Sequence, residues 1–204
     1  MLKILVGCEE SQAVTIAFRN RGFEAYSCDT QPCSGGHPEW HIQGDVTKIL
    51  WYKWDLIIAF PPCTYISNAG AVRLYPQKGV LNQERYAKGL QGKEFFMQLY
   101  NADCPFICVE NPIPSTVFEM PRYSQIIQPY EYGHAFSKKT CLWLKGLPKL
   151  KPTNLITDGI DPWVGAQKGK GGHRSPLMRS KTFPNIADAM AEQWGQYLFL
   201  KHFS

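Results

Sequence analysis

The run Asp55-Leu-Ile-Ile-Ala-Phe60, followed at once by Pro61 and Pro62, constrains the fold more than any other part of the chain. After its first residue the run is apolar at every position, so both alternating faces of a strand would need burial. A strand of that kind belongs in the middle of a parallel sheet that carries helices on both sides. The two prolines stop it, because neither has an N–H to give to a ladder. Whatever follows them, beginning with Cys63, therefore sits at the carboxyl edge of the sheet.

The flanking segments agree with that architecture. Lys3 to Val6 reads as a buried strand, too soon interrupted by Gly7, Cys8 and two glutamates to be the apolar core of a signal sequence. Ser11 is placed to cap a helix whose Val14, Ala17 and Phe18 share one face, and Gly22 ends it before Phe23 to Ser27 returns as a second strand. Arg85 to Tyr100 has a helical register of apolar residues, and Phe106 to Val109 reads as another buried strand ending at Glu110-Asn111-Pro112. Ile126 to Tyr130 and Cys141 to Leu144 suit an antiparallel pair that closes the sheet. Ile186, Met190, Trp194, Tyr197 and Leu198 mark an amphipathic C-terminal helix. Alternating strands and helices of this kind predict a Rossmann-like α/β fold, mostly parallel, with helices on both faces and an antiparallel closing strand. A length of 204 residues with no repeat or low-complexity tail predicts one domain over 1–204.

Composition narrows the partners. Seven cysteines, an odd number without the spacing of a disulfide scaffold, predict thiols in a cytoplasmic protein. No apolar stretch approaches the roughly 20 residues of a bilayer span, so no membrane partner is expected. The net charge of +5 gathers late, where Lys168, Lys170, Arg174, Arg179 and Lys181 lie in a glycine-rich stretch without an acid. That pattern points to an anionic partner such as nucleic acid, against the plainer reading of a solvated loop. Cys28, Cys33, His37 and His41 are potential zinc ligands, but only three residues separate Cys33 from His37. Zinc fingers place about a dozen there, so no metal is expected.

Two polar clusters fall at strand ends, where open α/β sheets bind ligands. One is Pro61-Pro62-Cys63-Thr64, a thiol held by two fixed backbones. The other is Glu110-Asn111-Pro112. A cysteine and a carboxyl group without an evident partner histidine do not make a protease pair. They suit a reaction in which the acid protonates the substrate.

With these residues in place the chain resembles the DNA cytosine-5 methyltransferases, as a small, phage-like member lacking a target recognition domain. Pro62-Cys63-Thr64-Tyr65-Ile66-Ser67-Asn68-Ala69-Gly70 approximates the family's nucleophile motif, and Glu110-Asn111-Pro112 its Glu-Asn-Val motif. Leu5 to Ser11 corresponds to the glycine-containing end of the first strand, reduced here to Gly7 alone. The resemblance implies that Cys63 is the nucleophile and Glu110 the catalytic acid. It implies S-adenosylmethionine as donor, bound by Gly7, Glu9, Ser11, Asp29, Asp45, Pro61 and Lys181, with Asp29 on the ribose and Asp45 of Gly44-Asp45-Val46-Thr47 on the adenine. DNA would be held through Ser67, Asn111, Lys138, Lys139, Lys168, Lys170 and Arg174, its target cytosine flipped or single-stranded.

The chain departs from the family in two places. Ser137-Lys138-Lys139-Thr140 stands where the family carries an arginine-containing strand, and lysine lacks the bidentate fork. In Ser180-Lys181-Thr182-Phe183-Pro184, Lys181 replaces the asparagine beside the donor methyl. An ammonium there would suit a carboxylated donor, carboxy-S-adenosylmethionine, and a 5-carboxymethylcytosine product. Amino-group methylation, alkylation of a free cytosine nucleotide and a non-catalytic nucleic-acid-binding relic are the alternatives. Phe60 and Cys63 stand where amino-group enzymes need a polar acceptor and a stacking ring, and a binding relic would not require Cys63 and Glu110.

Overall fold

The structure is a computed structural model that describes residues 2–163 and 181–202. Its centre is a seven-stranded sheet built from β1 (Lys3–Gly7), β2 (Glu24–Asp29), β3 (His41–Gln43), β4 (Leu56–Ala59), β5 (Ile107–Pro112), β6 (Gln125–Ile127) and β7 (Thr140–Lys145). The strand order is β3-β2-β1-β4-β5-β7-β6. The first five strands pair in parallel, and β7 inserts antiparallel between β5 and β6. This is the mostly parallel sheet with an antiparallel closing strand expected from the sequence.

Burial explains why β4 is central. Leu56, Ile57, Ile58 and Ala59 are all fully buried, and their side chains alternate between two cores. Leu56 and Ile58 join Ile4 and Val6 under helices α1 (Ala13–Arg19) and α4 (Pro184–His202), which contribute Phe18, Met190 and Trp194. Ile57 and Ala59 join Leu5, Ile107 and Val109 under helix α3 (Gln83–Tyr100), which contributes Phe96 and Leu99. Each such aliphatic side chain stabilises the fold by about 1.5–3 kcal/mol relative to exposure. A charge on either face of β4 would therefore leave one core open.

Two element boundaries differ from expectation for tertiary reasons. Helix α1 is not capped by Ser11. Its N-cap is Gln12, in the left-handed region at φ 58° and without a side-chain cap bond. The capping is done by the carboxylate of Glu9, which accepts from the amides of Val14 (2.6 Å) and Thr15 (3.2 Å) and from the Thr15 hydroxyl (2.8 Å). Strand β5 runs past Val109 through Pro112, because Glu110, Asn111 and Pro112 stay in antiparallel register with Leu142, Cys141 and Thr140 of β7. The Glu-Asn-Pro motif thus lies within the sheet.

The order of strands reverses between β1 and β4, which both turn their carboxyl ends to the same edge. That crevice is where a doubly wound sheet receives a ligand. Gly7 ends β1 there with no room for a side chain, since a Cβ would lie 2.9 Å from Val46 Cγ2.

Candidate active site

A cleft of about 1180 Å³ opens along the carboxyl ends of β1 to β5. That exceeds the roughly 300–1,000 Å³ of a pocket for one small molecule. Most residues singled out in the sequence meet on its walls. Glu9, Ser11, Asp29 and Asp45 line one half, with Lys181 beside them; Pro61, Cys63 and Glu110 lie in the middle; Ser67, Lys138 and Lys139 line the rest. Gly7 and Asn111 are absent from the walls and act from behind them. Lys168, Lys170 and Arg174 lie outside the described residues.

Cys63 and Glu110 are brought together by the sheet and by ties between their loops. Their strands are neighbours, with Ala59 paired to Val109. The buried Asn111 side chain donates to the Pro61 carbonyl at 2.8 Å and so fixes the double-proline turn against β5. Beyond the two motifs the loops join again: Asn68 donates to the Ile113 carbonyl (3.0 Å), and Ser115 to the Ile66 carbonyl (2.8 Å). The backbone of Ser67 donates to the Cys63 carbonyl, and its buried hydroxyl caps the short helix α2 (Asn68–Ala71) by accepting from Gly70. Ser67, on the cleft wall, and Asn111, behind it, tie the cysteine turn in place.

Sequence reading missed Arg85. From the first turn of α3 its guanidinium donates to the carbonyl of Gly70 at 3.1 and 3.3 Å and to that of Thr64 at 3.4 Å, and it lies 4.8 Å from the centre of the Tyr65 ring. It clamps the segment that follows Cys63. Nothing near Arg85 in the chain signals this, because its partners lie 15 and 21 residues away.

The electrostatics divide the cleft. Burial pushes the Glu110 carboxyl above the usual carboxylate range, and the positive charge of Lys138 opposes the rise. Glu110 is therefore biased toward holding a proton. On the other side, Asp45 caps the turn Val46–Ile49 by accepting from the Thr47 amide and hydroxyl, which hold its carboxyl below the ordinary value. Asp29 accepts from the Gln31 amide at 2.9 Å. Each of these two aspartates has one oxygen occupied locally. The Lys181 ammonium donates to the Ser34 hydroxyl at 3.2 Å, on the acidic side of the cleft.

Burial raises the Glu9 carboxyl to about 7, against the lowering effect of its bonds to Val14 and Thr15. A carboxyl raised in the fold keeps a proton that the unfolded chain has already lost. Its contribution to stability is full below its unfolded value and disappears as pH rises through about 7. Glu9→Gln keeps a cap carbonyl but cannot ionise. Denaturation midpoints measured from pH 5 to 8 are expected to fall less steeply in Glu9→Gln than in wild type (window from the ordinary and raised values of Glu9, about 4.5 and 7). Parallel curves would remove this role.

Among the described residues no group of three or more His, Cys, Asp or Glu side chains is arranged to hold a metal, and no helix is long and apolar enough to cross a membrane. His37 stacks on Trp40, His41 bonds to Ser27 and Gln31, and the Cys28 thiol donates to the Gly44 carbonyl.

No family model and no curated protein matches the sequence. Solved structures do. A prophage-encoded Escherichia coli protein described as a DNA modification methyltransferase aligns over 71% of this chain and 46% of its own, with 14% identity and a TM-score of 0.44. The Dnmt2 methyltransferase of Schizosaccharomyces pombe aligns over 72% and 51%, with 13% identity and a TM-score of 0.43. The Entamoeba histolytica methyltransferase EhMeth aligns over 76% and 58%, with 11% identity and a TM-score of 0.48. The chain spans about half the length of the solved structures it matches.

Proposed function

We propose that this protein transfers a one-carbon group from an adenosyl sulfonium donor to ring position 5 of cytosine in DNA, through a covalent adduct with Cys63. The observation that carries the reading is the juxtaposition of Cys63 and Glu110 on neighbouring strand ends in one cleft. Ring position 5 of cytosine is too weak a nucleophile to take an alkyl group unaided. The Cys63 thiolate adds at position 6, forming the S–C bond, while an electron pair shifts toward position 5 and ring nitrogen 3 takes the Glu110 proton. The raised carboxyl of Glu110 fits that donation. After transfer, the position 5 proton passes to water, its electron pair re-forms the 5,6 double bond and expels Cys63 as thiolate, and ring nitrogen 3 returns its proton to Glu110.

The acidic half of the cleft fits a donor that carries a positive sulfonium. Asp29 and Asp45 each keep an oxygen for the ribose and the adenine, and Glu9, Ser11 and Pro61 line the remaining wall. When bound, such a donor supplies an electrophilic carbon and leaves as a neutral thioether. Lys138 and Lys139, with Arg73 and Arg85 on the same walls, give the other half the charge that nucleic-acid phosphates require. Its target base must leave the stack to reach Cys63.

A second reading concerns the group transferred. The Lys181 ammonium stands on the donor side of the cleft, bonded to Ser34. An ammonium there favours a carboxylated donor, carboxy-S-adenosylmethionine, over S-adenosylmethionine. Mass spectrometry of DNA and of deoxycytidine monophosphate, each incubated with either donor, tests both readings: 5-methylcytosine or 5-carboxymethylcytosine is the expected product, and unmodified cytosine in every arm refutes them. In the active pairing, Glu110→Gln is expected to cut the turnover rate about a hundredfold or more, the usual scale of acid catalysis. DNA affinity should stay near wild type. A loss confined to affinity would move Glu110 from chemistry to binding.

A further inference from the structure

In nucleotide-binding α/β folds the loop after β1 commonly offers helix amides to an anionic part of the ligand. Here those amides are taken. The Glu9 carboxylate, 4% exposed, occupies the amides of Val14 and Thr15 and the Thr15 hydroxyl. A ligand carboxylate approaching this corner meets the chain's own.

Glu10 stands beside it with the opposite need. It lies on the cleft wall and is only 9% exposed, yet its carboxylate accepts no hydrogen bond and forms no ion pair among the described residues. Of the acids on the same side of the cleft, Asp29 is engaged by Gln31, Asp45 by Thr47 and Glu9 by α1, while Glu110 lies beside Cys63. Lys181 reaches the same corner through Ser34, whose amide donates to the Glu10 carbonyl, but it makes no ion pair with the Glu10 carboxylate. The residue is mostly covered, but its unpaired carboxylate opens to the cleft, where a ligand cation is the counter-charge it lacks.

We propose that Glu10 is the recognition point for a ligand ammonium, namely the α-ammonium of the donor's amino-acid tail. The assignment rests on the adenosyl-donor reading of the cleft. It makes the tail's positive charge a determinant of affinity, in place of the anion contact that a free helix terminus would give.

The test pairs wild type and Glu10→Gln with three ligands measured by calorimetry: S-adenosylhomocysteine, its analogue without the α-amino group and its analogue without the carboxylate. Loss of the amino group is expected to weaken wild type about tenfold or more, the scale of a hydrogen bond to a charged group. In Glu10→Gln the same deletion should cost about twofold or less, because the partner is already gone. The decarboxylated analogue, which keeps the amine, should lose about tenfold on Glu10→Gln. An amino-group penalty equal in both proteins overturns the assignment, as does an equal weakening of all three ligands, which would make Lys181 the partner of Glu10. Thermal melts establish that the isosteric variant is folded. If the folded wild type binds none of the three, the donor reading itself fails, and the assignment with it.

Discussion

Cys63→Ala is expected to abolish transfer while leaving the fold and donor affinity in place. The reason is the division of labour in the cleft. Cys63 forms no part of the acidic half proposed for the donor, and its thiol is half-buried at a turn, outside either core cluster. Removing one sulfur there is expected to alter stability by about 1 kcal/mol or less. The chemical step is different, because without the thiolate no electron pair reaches ring position 5. A residual rate above about a hundredth of wild type would sink Cys63 as nucleophile, given the usual losses when a covalent catalyst is removed. A second measurement asks for the bond itself. In DNA carrying 5-fluorocytosine, fluorine occupies the place of the proton that must leave before Cys63 is expelled. The adduct should therefore persist, with a peptide mass that maps to Cys63. A protein active on ordinary DNA that leaves no such adduct would refute the covalent mechanism.

What the sequence made legible is local. The apolar run Leu56 to Ala59 and the two prolines after it specify a buried central strand with Cys63 at its edge, because burial period and missing N–H groups act within a few residues. The Glu-Asn-Pro motif is legible for the same reason. The supports of the site are not, since each depends on residues distant in the chain. Asn111 reaches Pro61 across 50 positions, and β5 continues through Pro112 only because β7 pairs with it. Ser11 looked like the cap of α1 by position and chemistry. The backbone turns at Gln12, so Glu9 reaches the helix amides and Ser11 is left on the cleft wall. Ser67 lies on the cleft wall, and its hydroxyl also accepts from the Gly70 amide, a support that the sequence does not signal.

Gly70→Ala is expected to reduce the turnover rate by about a hundredfold, the scale of loss when a catalytic group is displaced by about 1 Å. A Cβ on Gly70 would lie 2.1 Å from the Thr64 carbonyl oxygen and 2.9 Å from its carbon. Those are backbone atoms of the residue next to Cys63, so no side chain can swing aside to admit the methyl group. Relief must come from moving the Thr64 peptide, and three contacts resist it. Arg85 holds both carbonyls, Ser67 holds the amide of Gly70, and the backbone of Ser67 is bonded to the Cys63 carbonyl. The strain is thus directed onto the cysteine turn. Helix α2 spans only Asn68–Ala71 at the margin of the sheet, so the cores beneath α1, α3 and α4 need not change. The variant should remain folded, with donor affinity close to wild type and the rate of the first covalent step selectively lost. Single-turnover measurement of adduct formation on 5-fluorocytosine DNA separates that outcome from a general loss of structure. Adduct formation at the wild-type rate would show that the turn tolerates the methyl group and that the close approach of Gly70 to Thr64 does not position Cys63.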